Sequence, residues 1–289
     1  MKHLLKMMDL STEEIIEILN LADQLKYELK HGIPHDHLKG KTLGMIFRKA
    51  STRTRVSFET GMYQLGGNPL YLSASDMQIG RGEPIQDTAR VLSRYIDGIM
   101  IRTFDQAEVE NLAEYGNIPI INGLTDLSHP CQVLADLMTI REYKGKLDGL
   151  KMCYIGDGNN MANSLIVGGL KTGMSVSVAC PENYHPAATT LAFAEKYDCF
   201  ELTDDPVKAA KDADVIFTDV WASMGQEGEA EIRKKAFKGF QINDEVMAVA
   251  KPDAMVQHFE EHANEIFDEA ENRLHAQKAV MVLLMGNKD

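Results

Sequence analysis

The stretch Leu43-Gly-Met-Ile-Phe-Arg-Lys-Ala-Ser-Thr-Arg-Thr-Arg55 joins a short apolar run to a basic, hydroxyl-rich one. Residues 43–47 have the length and composition of one buried strand, and a helix is predicted from about Val56 onward. Ser51 and Thr52 are residue types that cap helix N-termini. The stretch therefore predicts a strand-to-helix junction, the repeating unit of a parallel α/β sheet.

The same alternation continues on both sides of a polar, glycine-containing stretch at residues 144–150. Further strands are predicted at 98–101, 118–121, 152–155, 175–179 and 215–218. A first helix is predicted behind a capping box at Ser11 and Glu14, with an apolar stripe from Ile15 to Leu25, and further helices are predicted at 107–115, 131–143, 162–172, 187–197 and 269–285. We therefore predict an α/β protein of two domains, each a parallel sheet flanked by helices, with the boundary just before residue 144.

Composition and charge exclude several classes of protein. The chain has 289 residues, of which 44% are hydrophobic and 25% charged, as in ordinary globular proteins. Its 30 basic and 43 acidic side chains give a formal net charge of −13. An acidic surface disfavours nonspecific binding to nucleic acid or to anionic membranes, but it still permits a local basic pocket for a small anion.

Cysteine spacing and hydropathy predict a location. The four cysteines (Cys131, Cys153, Cys180 and Cys199) form no Cys-x-x-Cys pair, so neither a zinc site nor a disulfide framework is indicated. The first residues are too polar for a signal peptide, and no apolar run approaches the roughly 20 residues of a membrane span. These features predict a cytoplasmic protein.

The junction at residues 47–55 is the strongest chemical signal. The first backbone N–H groups of a helix lack partners within the helix, and cations accompany them here at Arg48, Lys49, Arg53 and Arg55. Such a cluster on an acidic protein indicates a phosphate site. A solvated basic turn is the alternative.

Three later strand ends also carry polar side chains. Pro130 fits the first turn of a helix and places His129 at its cap, where the imidazole either donates to a carbonyl oxygen or is only structural. After residue 155 the glycine pattern is an incomplete dinucleotide fingerprint, because Met161 stands where the third glycine belongs. Asn159 and Asn160 there, and Asp219 after residue 218, are placed to hold a polar or cationic ligand.

Three motifs in order along the chain carry a resemblance. Ser-Thr-Arg-Thr-Arg at 51–55, His-Pro-Cys-Gln at 129–132 and Asp-Val-Trp-Ala-Ser-Met-Gly at 219–225 resemble the aspartate/ornithine carbamoyltransferase family. The Ser-Met-Gly element and residues 268–278 are similar to its ornithine-specific members in particular. The similarity runs from the first predicted helix to the last.

The resemblance implies a role for each matching position. The positions for carbamoyl phosphate are Ser51, Thr52, Arg53, Thr54, Gln78 (reaching a neighbouring subunit), Arg102, His129, Gln132 and Arg273. The positions for ornithine are Asn160, Asp219, Ser223 and Met224. Asp219, Arg102 and His129 are the expected catalytic residues.

The resemblance also implies an overall arrangement and a reaction. The carbamoyl-phosphate-binding domain would be residues 1–142 plus a C-terminal helix at 270–289 that returns to it, and the ornithine-binding domain would be residues 143–269. The carbamoyl group would pass from carbamoyl phosphate to the side-chain amine of L-ornithine, giving L-citrulline and phosphate without a metal or organic cofactor. A homotrimer or an assembly of trimers is implied, with no nucleic-acid or membrane partner.

One family motif is missing. The family carries His-Cys-Leu-Pro after a Lys-Pro-Asp-Ala stretch, whereas here residues 251–258 run directly into Phe259. A true deletion and a mobile loop left out of the sequence are both compatible with this departure. If the motif is deleted, a non-catalytic carbamoyl-phosphate-binding homologue is an alternative. A carbamoyltransferase for putrescine or a modified ornithine is another, and a nucleotide-linked dehydrogenase rests only on residues 156–160.

Overall fold

A computed structural model describes residues 1–221, 227–257 and 263–286. The chain divides into two compact units. The first unit comprises Met1–Met138 and Ala270–Asp289, and the second comprises Thr139–Glu269.

Helices and strands alternate through most of both units. The helices are α1 (Thr12–Lys30), α2 (Thr52–Gln64), α3 (Ile85–Leu92), α4 (Gln106–Tyr115), α5 (Pro130–Lys144), α6 (Asn160–Lys171), α7 (Ala188–Ala194), α8 (Pro206–Ala210), α9 (Ala230–Ala236), α10 (Asp244–Val249) and α11 (Ala263–Met285). Short 3-10 helices lie at Met7–Asp9, Gln78–Arg81, Glu182–Tyr184 and Glu227–Glu229.

Each unit contains one sheet among its described residues. The strands are β1 (Thr42–Phe47), β2 (Asn68–Ser73), β3 (Gly98–Arg102), β4 (Ile120–Leu124), β5 (Lys151–Ile155), β6 (Ser175–Ala179), β7 (Phe200–Thr203), β8 (Val215–Thr218) and β9 (Met255–Gln257). The first sheet has the order β2-β1-β3-β4 and the second β7-β6-β5-β8-β9. Every strand pair in both is parallel. The predicted fold class, two parallel sheets flanked by helices with a C-terminal helix, is confirmed.

Three strands escaped the sequence prediction, and all three lie at sheet edges. β2 and β7 are only partly buried, and β9 has three residues. An edge strand has a neighbour on one side only and needs no continuous apolar run. The central strands β1, β3, β5 and β8 were predicted because their residues are nearly all buried.

Several predicted bounds were wrong by a few residues. α2 begins at Thr52 rather than near Val56, because Ser51 caps it by accepting a hydrogen bond from the Thr54 backbone N–H. β4 is shifted toward Leu124, and α7 ends at Ala194 rather than at 197. The capping box at Ser11 and Glu14 is confirmed in both directions.

The order of the strands creates one switch point in each sheet. From β1 the chain moves outward to β2 and then returns to add β3 on the other side of β1. In the second sheet β6 and β7 extend from one side of β5, and β8 then pairs with the other side. Connections leave in opposite directions at such points and open a crevice at the carboxyl ends of the strands, where ligands of α/β sheets bind.

Both sheets have apolar cores. Ile46, Ile99 and Ile101 are fully buried in the first, and Ile155 and Ile216 in the second. Within residues 1–221, 227–257 and 263–286, every helix is too short or too polar to cross a lipid bilayer.

Candidate functional site

The N-terminus of α2 lies directly after β1 at the first switch point. Ser51 Oγ accepts from the Thr54 backbone N–H at 3.1 Å, so the cap uses that hydroxyl. Thr52 and Arg53 are exposed in the first turn. A helix N-terminus favours anions through its N–H groups and its dipole, and Arg53 adds a positive charge beside it.

The other basic residues of this junction have carboxylate partners. Arg48 pairs with Glu108 at 2.8 Å, and Arg55 pairs with Glu59 at 3.1 Å. The Lys49 ammonium is buried against Asp126 and lies over the Phe104 ring. The sequence predicted one cationic cluster from all four residues, whereas the structure neutralises these three locally.

Arg53 instead belongs to a group with two distant arginines. Arg102 is the last residue of β3 and only 6% exposed, and burial followed by the charges of Arg273 and Arg53 lowers its pKa to about 10. Arg273, on α11, donates from Nη2 to Thr54 Oγ1 at 2.9 Å. Two of these cations lower the pKa of the third, Arg102, so the group forms a site whose charge repulsion an anion would relieve.

His129 shares this environment. It directly precedes Pro130, the first residue of α5, and is 5% exposed. Burial and the charges of Arg273, Arg102 and Arg53 lower its pKa well below the usual 6.5. The imidazole is therefore neutral at pH 7, so one ring nitrogen can donate a hydrogen bond while the other can accept one.

Gln132 and Gln78 are two further residues that the sequence predicted to bind carbamoyl phosphate. Gln132, one turn into α5, donates from Nε2 to Asp136 Oδ1 at 3.0 Å. Gln78 is exposed at the start of its 3-10 helix. The single chain thus leaves Gln78 accessible, as expected for a residue that acts in a neighbouring subunit, and its role stays a prediction.

The second switch point carries Asn159, Asn160 and Asp219. Asn160 is the first residue of α6, and Asn159 is its N-cap, with Oδ1 accepting from the Met161 N–H at 2.9 Å. Asn159 Nδ2 donates to Asp219 Oδ2 at 3.0 Å. The strand-end pattern predicted a ligand-holding role for Asn159, and the structure shows that its side chain connects the loop after β5 to the residue after β8.

Asp219 is held in place through both of its oxygens. Its Oδ1 accepts from the Val220 N–H at 2.8 Å, and its Oδ2 accepts from Asn159. Neither interaction neutralises the carboxylate, because both donors are uncharged. Ser223 and Met224, the other predicted ornithine-binding residues, lie outside the described residues.

The glycines after β5 have backbone roles. Gly156 has a φ of 147°, and a Cβ at Gly158 would lie 2.3 Å from the backbone carbon of His185. Both glycines are therefore explained by the path of the chain. The dehydrogenase alternative rested only on the glycine pattern at residues 156–160, which the path of the chain now explains. Among the described residues, no group of three His, Cys, Asp or Glu side chains is placed to hold a metal ion.

Comparison with known families identifies the two halves. The aspartate/ornithine carbamoyltransferase carbamoyl-P binding domain matches residues 2–142, and the Asp/Orn binding domain of the same family matches residues 148–260. The chain belongs to the aspartate/ornithine carbamoyltransferase family. The family predicted from the three motifs is confirmed, and with it the prediction of a carbamoyltransferase enzyme.

Relatives within this family are similar over nearly their whole length. The ornithine carbamoyltransferase of Thermococcus kodakarensis is 55% identical over 304 residues, covering 99% of this chain and 96% of the relative. That of Carboxydothermus hydrogenoformans is 54% identical, covering 98% and 97%. The 304-residue alignment is longer than the 289-residue chain, so the Thermococcus relative has residues without a counterpart here.

Solved structures from the carbamoyltransferase family agree with the fold. The ornithine carbamoyltransferase of Pyrococcus furiosus has a TM-score of 0.93 at 53% identity, covering 100% of this chain and 98% of the other. The anabolic ornithine carbamoyltransferase of Campylobacter jejuni has a TM-score of 0.92 at 41% identity, covering 98% and 99%.

Proposed function

We propose that the protein transfers the carbamoyl group of carbamoyl phosphate to the side-chain amine of L-ornithine, giving L-citrulline and phosphate. The observation that supports this reaction most directly is that the two switch points carry opposite charges. Arg53, Arg102 and Arg273 make the first one cationic, and Asp219 makes the second one anionic. An acyl phosphate and an amino acid with a free ammonium group fit these charges. The names of the relatives also support the proposal.

The first unit supplies the site for carbamoyl phosphate. The N-terminus of α2, with Ser51, Thr52, Arg53 and Thr54, binds the phosphate, and Arg102 and Arg273 add charge. The phosphate gains negative charge as the bond between the carbonyl carbon and the bridging oxygen breaks. The arginines stabilise that charge more strongly in the transition state than in the bound substrate.

The carbonyl oxygen needs its own donors. As the ornithine amine attacks the carbonyl carbon, this oxygen becomes an oxyanion. Arg102, Thr54 and the neutral His129 are the donors that we assign to it, and Gln132 assists at the carbamoyl group. A neutral imidazole is suited to this role because it donates a hydrogen bond without adding a fourth positive charge to the site.

The second unit supplies the site for ornithine. Asp219 binds the α-ammonium group, and Asn160 at the start of α6 provides a polar contact. Ser223 and Met224 complete the assignment by resemblance. Asp219 favours an α-amino acid over putrescine, because a simple diamine has no α-ammonium group for this carboxylate to bind. The attacking side-chain amine must be neutral, and it loses a proton during transfer for which the departing phosphate is an available base.

Each of the two substrates is assigned to one of the two expected domains. We assign residues 1–142 with 270–289 to carbamoyl phosphate and residues 143–269 to ornithine. A cytoplasmic location is part of the same proposal.

We further propose a homotrimer or an assembly of trimers. The edge strand β2 exposes Leu70 and Tyr71, at 41% and 39%, and an exposed apolar edge is normally covered by another element or chain. Exposed Gln78, only five residues after β2, supports this arrangement. Analytical ultracentrifugation of the purified protein tests it.

A substrate panel tests the proposed reaction. Mass spectrometry first checks that the purified protein has the expected mass of 32.2 kDa. The protein is then incubated with carbamoyl phosphate and either L-ornithine or putrescine. Citrulline formation at a rate well above that with putrescine is the expected result. Faster carbamoylation of putrescine would contradict the assignment of Asp219.

The missing His-Cys-Leu-Pro motif defines the second candidate. Calorimetric titration with carbamoyl phosphate separates binding from turnover. Tight binding without any carbamoylated product would contradict the proposed reaction and favour a non-catalytic carbamoyl-phosphate-binding homologue.

A further inference from the structure

Arg233, on α9, is a buried arginine that donates hydrogen bonds to three residues of the second unit. It is 7% exposed, and its Nη1 donates to Asp157 Oδ2 at 2.7 Å and to the Trp221 backbone oxygen at 3.0 Å. Its Nε donates to Glu229 Oε2 at 3.1 Å. One guanidinium therefore joins three separate parts of the chain.

These partners lie at the second switch point. Asp157 follows β5, and Trp221 follows β8, the two strands between which the order of connections reverses. Glu229 belongs to the 3-10 helix at Glu227–Glu229. Trp221 and Glu229 lie on either side of residues 222–226, so Arg233 fixes the chain both before and after that segment.

A path of hydrogen bonds leads from Arg233 to Asp219. The Asp157 backbone oxygen accepts from the Asn159 N–H at 2.7 Å, and Asn159 Nδ2 donates to Asp219 Oδ2 at 3.0 Å. Trp221, the other partner of Arg233, is only two residues after Asp219 along the chain. The position of the Asp219 carboxylate therefore depends on Arg233 in two ways, through Asp157 and Asn159 and through the neighbouring chain at Trp221.

The charges explain why this position requires an arginine. Burial raises the pKa of Asp157, the neighbouring Asp219 raises it further, and the pairing with Arg233 opposes both. Without the guanidinium, two carboxylates would remain together in a poorly solvated place. A lysine retains the charge but lacks the planar fork that bonds a carboxylate, a carbonyl and a second carboxylate at once.

We propose that Arg233 is a positioning residue for the amino-acid substrate. It does not itself bind ornithine, but it holds the loop after β5 and the segment after β8 so that Asn160 and Asp219 face the substrate with a fixed separation. This inference rests on the proposed function of the second unit. It predicts that Arg233 affects ornithine and leaves carbamoyl phosphate unaffected.

Trp221 provides an optical probe of this arrangement. It is the only tryptophan of the chain, so intrinsic emission excited at tryptophan wavelengths reports on this position. Its Nε1 donates to the Phe240 backbone oxygen at 3.2 Å, and its ring stacks on Phe237 with 6.0 Å between centroids. If Arg233 holds the Trp221 backbone, its replacement will increase solvent access to the indole.

The test compares Arg233→Lys with Lys234→Met, which removes an exposed cation from the same helix. Loss of charge-assisted hydrogen bonds should raise KM for ornithine at least about 10-fold in Arg233→Lys. KM for carbamoyl phosphate should stay within about twofold, since Arg233 lies in the other unit. Trp221 emission should shift to the red and be quenched more strongly by acrylamide. Lys234→Met should match the parent protein in all of these measurements.

A second substitution tests the path through Asp157. Asp157→Asn removes the buried carboxylate, and a double-mutant cycle with Arg233→Lys should show clearly non-additive effects on the ornithine Kd, measured by calorimetry in saturating inorganic phosphate. Additive effects would overturn the proposed path.

The remaining outcomes are distinguishable. An unchanged ornithine KM, or equal loss for both substrates together with a lower Tm, would overturn the role of Arg233. If the parent protein binds ornithine but forms no citrulline, the proposed reaction fails, and the calorimetric comparison still decides the role of Arg233. If the parent protein does not bind ornithine, both proposals are overturned.

Discussion

The two switch points share a topology but differ in how their charges are balanced. In the first unit burial, followed by the charges of Arg273 and Arg53, lowers the pKa of Arg102 to about 10. In the second unit the buried carboxylate of Asp157 is paired with Arg233 at 2.7 Å, and Asp219 bonds only neutral donors. The first site therefore carries repulsion that a ligand relieves, whereas in the second Asp157 is already paired and the Asp219 carboxylate keeps its charge for a ligand.

The difference shows which features belong to the fold and which to the loops. Parallel strands with a reversal of order create a crevice in both units. The few residues that follow β1 and β3, together with Arg273 of α11, or those that follow β5 and β8, then determine the sign of the charge. One architecture can thus hold an anion in one unit and an ammonium group in the other.

The largest expected effect is at Arg53. Because hydrogen bonds to charged groups contribute about 1.5–3 kcal/mol each, Arg53→Ala should weaken carbamoyl phosphate binding by about 100-fold or more. Arg53 is exposed, so the Tm should hardly change. Calorimetry with inorganic phosphate and carbamoyl phosphate measures the loss, with Arg90→Ala, an exposed arginine of the same unit, as the control. Turnover close to normal in Arg53→Ala would contradict the phosphate assignment.

The converse substitution is at Asp219. Asp219→Asn preserves size but removes the charge, and should raise the ornithine KM by about 10- to 100-fold while leaving carbamoyl phosphate binding near normal. Steady-state kinetics with each substrate varied in turn provide the measurement. Asp204→Asn, at an exposed position in the same unit, is the control. Equal losses for both substrates would erase the contrast between the two sites.

A smaller difference between the two units is expected in how their stability depends on pH. Burial lowers the pKa of His275 to about 4 and that of His129 well below 6.5. The unfolded chain binds these protons near pH 6.5, so unfolding binds protons and stability falls as the pH drops below that value. The slope is up to about 1.4 kcal/mol per pH unit for each histidine. The raised pKa of Asp157 acts in the opposite sense in the second unit, because there the folded state binds its proton more readily.

Hydrogen exchange at pH 5 and pH 7 tests this difference. Amides of β1 and β3 should lose more protection in acid than amides of β5 and β6. His275→Gln should reduce the acid sensitivity of the first unit. An equal loss of protection in both sheets would contradict the interpretation from the buried histidines.

The smallest effect is expected at Ser11, which belongs to neither of the two proposed substrate sites. Ser11→Ala removes the capping hydroxyl that accepts from the Glu14 N–H at 3.1 Å, at a cost of about 1 kcal/mol in the free energy of unfolding. Neither substrate should bind differently. Ser11→Thr, which keeps a hydroxyl, is the control. Chemical denaturation combined with both titrations shows whether a modest loss of stability by itself alters either site.

Local sequence signals determined much of this protein. A buried apolar run followed by Ser51 predicted β1 and the start of α2, and Pro130 placed His129 at the beginning of α5. The order of three short motifs was sufficient for the family. These predictions succeed because caps, proline geometry and buried strands depend on residues within a few positions of one another.

Only the tertiary structure decided how the charges are arranged. Arg273 meets Thr54 across 219 residues of sequence, and Arg233 meets Asp157 across 76. Lys49 looked like part of a phosphate site, but the fold buries it against Asp126. Edge strands such as β2 were missed for a related reason, since their place depends on which strand lies beside them. Burial and the distance between charges depend on the folded chain as a whole, and no local pattern encodes either.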